Sequence, residues 1–255
     1  MPLSALPPRR PCLARAARAV AACAIAVLLS LPAPAPAQEL VRPDLKTISP
    51  VFDGWLRNPD GSFTLFFGYF NRNSGETPIP IGPDNQVRPA PDDRGQPTNF
   101  LPLRQWHVFR VTVPPGWDDE VIWTLGVPGT GHREQTTGSL NTIYEIGNPG
   151  GPQAPTVGGV PAGPLTARVG RPLALAASAS PADAERGELA VRWSKNRGPA
   201  AGRVTFSAPG ALATTAAFSA PGTYELRLRV DEHVNMGGSS EEHHTDALVT
   251  VAVEP

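Results

Sequence analysis

The chain has 255 residues, with 22 basic and 23 acidic side chains, 31 Pro, 25 Gly and two Cys. The formal charge is −1, and four of the basic residues fall within the first 37, so no basic patch remains beyond them to displace phosphate counterions and nucleic acid is a poor candidate partner. Both cysteines, Cys12 and Cys23, lie near the N-terminus, so the rest of the chain is excluded from disulfide scaffolds and thiolate metal sites.

In chain order, the first element is an export signal. Arg9, Arg10, Arg15 and Arg18 form a positive n-region, and Ala19 to Leu31 is an apolar run too short to span a bilayer comfortably. Ala35-Pro36-Ala37 then offers a small-x-small cleavage site, giving a signal peptide over 1–37. Arg9-Arg10 hints at twin-arginine export, whereas Cys23 sits inside the apolar run and not at its end, as a lipoprotein box would need. Cleavage leaves about 218 residues with 18 basic and 23 acidic side chains, a net charge near −5. No second apolar run reaches spanning length, so no membrane span is expected after cleavage. High Ala, Arg and Pro with only two Lys fits a GC-rich bacterial source, and the expected location is periplasmic or extracellular.

The N-terminal half, 38–146, reads as a β-sandwich. Val51–Arg57, the turn Asn58-Pro59-Asp60-Gly61 and Ser62–Phe70 predict a hairpin whose second strand is apolar on both faces. Residues 71–104 are polar and Pro-rich and leave room only for short edge strands. Alternation resumes over Gln105–Val113, where His107 falls at the end of an apolar face, and again over Glu120–Gly126, with further strands expected at 132–137 and 140–146.

Residues 147–164 contain eleven Gly or Pro in eighteen and predict a linker. Beyond it, 165–255 divides into seven strands: 165–169, 173–178, 189–195, 203–206, 214–219, 223–231 and 246–253. In the sixth, Tyr224, Leu226, Leu228 and Val230 share a core face, while Glu225, Arg227, Arg229 and Asp231 share a face expected to be wet. The fold class expected is therefore all-β: two antiparallel sandwiches joined by a Gly/Pro-rich linker, following a cleaved signal peptide.

Trp193 in Val191-Arg192-Trp193-Ser194-Lys195, the run Gly202-Arg203-Val204-Thr205-Phe206, and Pro221-Gly222-Thr223-Tyr224 resemble a divergent polycystic-kidney-disease (PKD) type domain, an immunoglobulin-like module. Trp193-Ser194-Lys195-Asn196-Arg197-Gly198 replaces the Trp-Asp-Phe-Gly-Asp-Gly motif of typical members. The resemblance implies a spacer or adhesive role, with the Tyr224 hydroxyl satisfying backbone at a strand corner. The N-terminal half, with Phe52-Asp53-Gly54-Trp55, resembles uncharacterised exported bacterial proteins.

Candidate chemistry falls in three places. Trp55, Trp106 and Trp117 would stack on sugars if exposed. His233, Glu241, His243, His244 and Asp246 form the densest imidazole and carboxylate cluster, in a loop expected between the sixth and seventh strands; they are the candidate ligands of a divalent metal. Asp84, Asn85, Asp92 and Asp93 offer oxygen ligands, but without the spacing of a calcium loop. The sequence shows no G-x-S-x-G elbow, H-E-x-x-H or phosphate loop, so no catalytic residue is assigned and no cofactor is expected. The expected function is a non-catalytic binding or spacer protein of the cell envelope that contacts protein or glycan. The alternative is a metal-dependent or glycoside-acting hydrolase using 71–104 or 231–246.

Overall fold

Nearly every described element is a β-strand. A computed structural model of the protein describes residues 45–147, 154–182, 188–236 and 239–255, with the side chains of 233–242 outside the description. The expected signal peptide, and residues 148–153 of the expected linker, lie outside the described residues. The described residues belong to one compact unit, and no helix among them is long and apolar enough to cross a membrane.

In the N-terminal half, β1 (Ile48–Arg57), β2 (Phe63–Asn71) and β6 (Leu103–Val113) form an antiparallel sheet in the order β1-β2-β6. The turn Asn58 to Gly61 joins β1 to β2, with Gly61 at φ +84°, a conformation that favours glycine. A second sheet runs β4-β7-β8, from β4 (Asn85–Arg88), β7 (Val121–Gly126) and β8 (Arg133–Gly138). The core between them is aromatic: Phe67 stacks on Phe109 at 5.1 Å, and Trp123 meets Phe109 edge-on at 4.8 Å.

The 71–104 region carries the short strands its prolines allow: β4, which lies at a sheet edge, and the two-residue pair β3 (Thr77–Pro78) and β5 (Asn99–Phe100). Asn85 holds the region together. Its buried amide donates to the carbonyls of Ile79 and Pro97 at 3.0 and 2.8 Å, and its oxygen accepts from Trp123 Nε1 at 3.1 Å. The strand expected at 140–146 is instead a single 3-10 turn, Thr142–Tyr144, capped by the Asn141 side chain.

The C-terminal half packs a four-stranded sheet, β10 (Leu165–Arg168), β17 (Ser239–Glu254), β16 (Gly222–Met236) and β13 (Glu188–Arg197), against β11 (Leu173–Ala176), β15 (Ala213–Phe218) and β14 (Val204–Phe206). Trp193, Phe218, Tyr224, Leu226, Leu228 and Val251 are buried between the layers. The Tyr224 hydroxyl donates to the Ala220 carbonyl at 2.8 Å, closing the strand corner. Within the stretch 147–164, β9 (Thr156–Gly158) is a strand paired with β12 (Ser178–Ser180).

The segment 231–246 corrects an expectation. It is not a loop: β16 and β17 continue as one hairpin through Asp231↔His244 and His233↔Glu242 to Met236↔Ser239. Backbone alternation sends His243 and His244 to opposite faces.

Candidate functional site

The residues that stand out chemically meet on the face of the β16–β17 hairpin that was expected to be wet. Cross-strand partners share a face, so Arg227↔Leu248, Arg229↔Asp246 and Asp231↔His244 lie on one side of the sheet, opposite the core row Leu226, Leu228 and Val230. That side is covered by the N-terminal half, and Arg229 is only 5 % exposed.

The covering surface is a pair of bulges. In β6 the register slips between Phe67 and Tyr69 of β2, so Trp106, His107 and Val108 arch out opposite Gly68. His107 takes φ +48° to do so. The arch turns three consecutive carbonyls toward the hairpin. Arg229 donates to the oxygens of Trp106 (2.7 Å) and His107 (3.2 Å), and Arg227 donates to that of Val108. In β1 a second slip, between Phe52 and Gly54, frees Asp53. Its carboxylate accepts the His107 N–H at 2.7 Å and pairs with Arg104, bracing the arch from behind. Gly68 makes this possible, because a Cβ there would collide with the Gln105 carbonyl, the Arg104 guanidinium and, at 2.5 Å, Asp53 Oδ2.

Arg229 also holds Asp246 by two hydrogen bonds of 2.8 Å, Nε to Oδ1 and Nη2 to Oδ2. Burial pushes the Asp246 pKa up, but the Arg229 hydrogen bonds and the charges of Arg227 and Arg229 outweigh it, leaving the group at about 2. Above the pair, the rings of His107 and His244 stack across the seam at 5.2 Å and 12°. Burial first, then the charge of Arg229, lowers His107 to about 4 and His244 to about 3, so both are neutral at neutral pH. Burial raises the pKa of Asp53, against the pull of the His107 N–H and Arg104.

Further polar contacts extend the seam along β13. Arg192 donates to Gln105 Oε1 at 2.8 Å, the Thr98 N–H donates to the Asn196 carbonyl at 3.0 Å, and Arg197 binds the Gln96 carbonyl and Asp93.

The three tryptophans have separate fates. Trp55 is a core residue: it is 6 % exposed, packs edge-on against Phe63 and donates Nε1 to the Asn141 carbonyl, which corrects the expectation of a sugar platform. Trp117 is half-buried against the same core. Trp106 is 49 % exposed at the rim of the seam, with the Arg104 guanidinium 3.7 Å from its ring centroid.

Of the expected metal ligands, the side chains of His233 and Glu241 lie outside the described residues. Asp246 is committed to Arg229 and His244 to its stack on His107, while His243 faces the other way. No group of three or more His, Cys, Asp or Glu placed to hold a metal occurs among the described residues. In the 71–104 region, Asp84 pairs with Arg133 at 2.7 Å and Asp93 with Arg197 at 2.5 Å, and Asn85 is buried structure.

Sequence reasoning missed Asp53, Arg104, Arg227 and Arg229, and placed His107 only at the end of an apolar face. Two signals bear on them: a glycine in mid-strand at Gly68, and two arginines two residues apart on a strand face.

No protein-family model matches the chain, and no curated protein matches it significantly. Among solved structures, it is similar to immunoglobulin domains 1–4 of Sidekick-1 (12 % identity, TM-score 0.23, covering 82 % of this chain and 49 % of that one). It is also similar to a chimeric titin Z1Z2 carrying a decorin peptide (12 %, TM-score 0.23, 83 % and 100 %) and to a titin I-band fragment I67–I69 (12 %, TM-score 0.20, 80 % and 65 %). The chain thus spans about half the length of the Sidekick-1 structure. At these scores the likeness carries no argument, and the all-β architecture rests on the strand pairing described above.

Proposed function

We propose that the protein is an exported, non-catalytic binding and spacer protein of the bacterial cell envelope. Its two sandwiches act as one stiff body, and its contact surface is a glycan platform at Trp106. The single observation that carries this reading is the arginine clasp. Arg227 and Arg229 tie the hairpin face of one half to three consecutive carbonyls of the other, so the seam is structural and holds its rim in a fixed shape. A rigid body with a preset surface suits presentation or spacing, because little conformational freedom is lost on binding.

Trp106 supplies the surface. One side of its ring is backed by Arg104, which Asp53 holds in turn, and half of the residue remains exposed. An aromatic plane fixed from behind suits the apolar face of a sugar ring. The hydrolase alternative gains no support, since Asp53 and Asp246 at the seam are held by Arg104 and Arg229, Glu225 is bound by Asn196, and the acids of 71–104 are paired or exposed. The test is a titration of envelope glycan fragments followed by tryptophan fluorescence. Saturable binding that disappears in Trp106→Ala with the fold intact supports the platform. Glycan binding unchanged by that substitution, or binding only to envelope proteins, overturns it.

A further inference from the structure

Between the two halves, directly beneath the clasp, lies a small cavity of about 10 Å³, room for one water-sized particle. From the N-terminal half it is lined by Tyr69, Gln105 and their neighbours, and from β13 and β16 by Arg192, Ser194, Lys195, Arg227 and Arg229. Three of the lining side chains on the seam face, Arg192, Arg227 and Arg229, are cationic, while the Lys195 ammonium turns to the core face, where the Pro199 and Gly202 carbonyls take it up; no lining residue is a carboxylate. The nearest compensating charge, Asp246, lies outside the lining and is already engaged by Arg229.

The donors around this space are not all used. Arg227 gives one nitrogen to the Val108 carbonyl, but its buried Nε has no hydrogen-bond acceptor, and the closest carboxylate oxygen, Asp246 Oδ2, is 3.7 Å away. The Tyr69 hydroxyl accepts the Leu101 N–H at 2.7 Å and so has its own proton to give. Ser194 is buried and brings a further hydroxyl. A buried guanidinium nitrogen without an acceptor is costly, and a concentration of positive charge in a low-dielectric seam is costly for the same reason. A particle that accepts from every side and carries negative charge offsets both; a neutral water would accept only two of these bonds and leave the charge.

We propose that this cavity is a binding site for one monatomic halide ion, chloride in ordinary conditions, held by Arg227 Nε with the Tyr69 and Ser194 hydroxyls. The ion is a structural part of the seam. Its size limit follows from the cavity: a monatomic halide, somewhat larger than water, enters with a small outward shift of the Tyr69 and Ser194 hydroxyls, whereas a sulfate, with four oxygens around its centre, does not.

The experiment is thermal unfolding at constant ionic strength, with chloride replaced stepwise by gluconate and, separately, by sulfate. The expected result is a saturable rise of Tm with chloride, about 2 °C or more, reproduced by bromide, whereas sulfate gives only the non-saturating rise of a salt excluded from the protein surface. Tyr69→Phe and Ser194→Ala, which keep the arginines in place, weaken that response several-fold, and Arg227→Met removes it. Should Arg227→Met fail to fold, the two milder variants and a crystal grown in bromide decide the matter, an anomalous peak in the cavity being the supporting result. A Tm independent of halide, an equally saturable response to sulfate, or a bromide-soaked cavity holding only water would each overturn the proposal.

Discussion

Arg229 and Asp246 face each other across β16 and β17 in a two-pronged ion pair, and the same guanidinium reaches over to the carbonyls of Trp106 and His107 in the other half. One side chain thus satisfies a buried carboxylate and fixes the seam. Arg229→Ala should therefore strip Asp246 of both its hydrogen bonds in a mostly buried position, leaving only Arg227 at 3.7 Å, and should cost on the order of 3 kcal/mol in urea unfolding. The double variant Arg229→Ala with Asp246→Ala should recover part of that loss, a coupling that a double-mutant cycle measures directly.

Acid should loosen the protein in two stages. His107 and His244 sit at about 4 and about 3 when folded, against about 6.5 unfolded, so below about pH 6.5 the unfolded chain binds more protons. Stability is then complete above that value and falls as pH drops toward 4, by up to about 1.4 kcal/mol per histidine per pH unit. The Asp246 contribution is present above about pH 3.8 and is lost as pH falls toward 2. Urea midpoints measured from neutral pH down to about pH 4 check the first stage, and His244→Phe should flatten the slope by removing one titrating ring while keeping the stack.

Gly68→Ala should cost about 2 kcal/mol or more, because the added methyl meets a backbone carbonyl and the Asp53–Arg104 pair at once. The effect should appear equally as lost seam contacts, read by faster amide exchange of His107. A Gly68→Ala protein as stable as the parent would show that the arch of β6 is not held against β2 as described.

Tyr224→Phe removes the hydroxyl that donates to Ala220 while keeping the buried ring, and should cost about 1 kcal/mol. Calorimetry checks it. The substitution lies far from the seam contacts of Arg227 and Arg229, so its cost should add to that of Arg229→Ala without coupling.

How far the sequence could be read depended on the range of the interaction. Strands separated by Pro and Gly turns, the second strand of the first hairpin and the core row Tyr224, Leu226, Leu228 and Val230 are local patterns, and they appear where the alternation put them; the corner at Tyr224 is where the resemblance implied it. The seam was not legible because it is long-range. Arg227 and Arg229 have the polar pattern of a solvated strand face, and nothing local distinguishes water from a neighbouring sheet as the covering layer. His107 read only as the end of an apolar face because the bulge that carries it depends on Gly68, nearly forty residues earlier. The cluster of His243, His244 and Asp246 suggested a metal because charge density was visible while the arginines across the hairpin, register partners at Arg229↔Asp246, were not.

The central claim, that the two sandwiches are one rigid body clasped by Arg227 and Arg229, is tested most directly by backbone ¹⁵N relaxation at neutral pH. The account predicts that amides of both halves fit a single rotational diffusion tensor, and that Arg229→Ala splits it into two. Separate tumbling of the halves in the unsubstituted protein would contradict it.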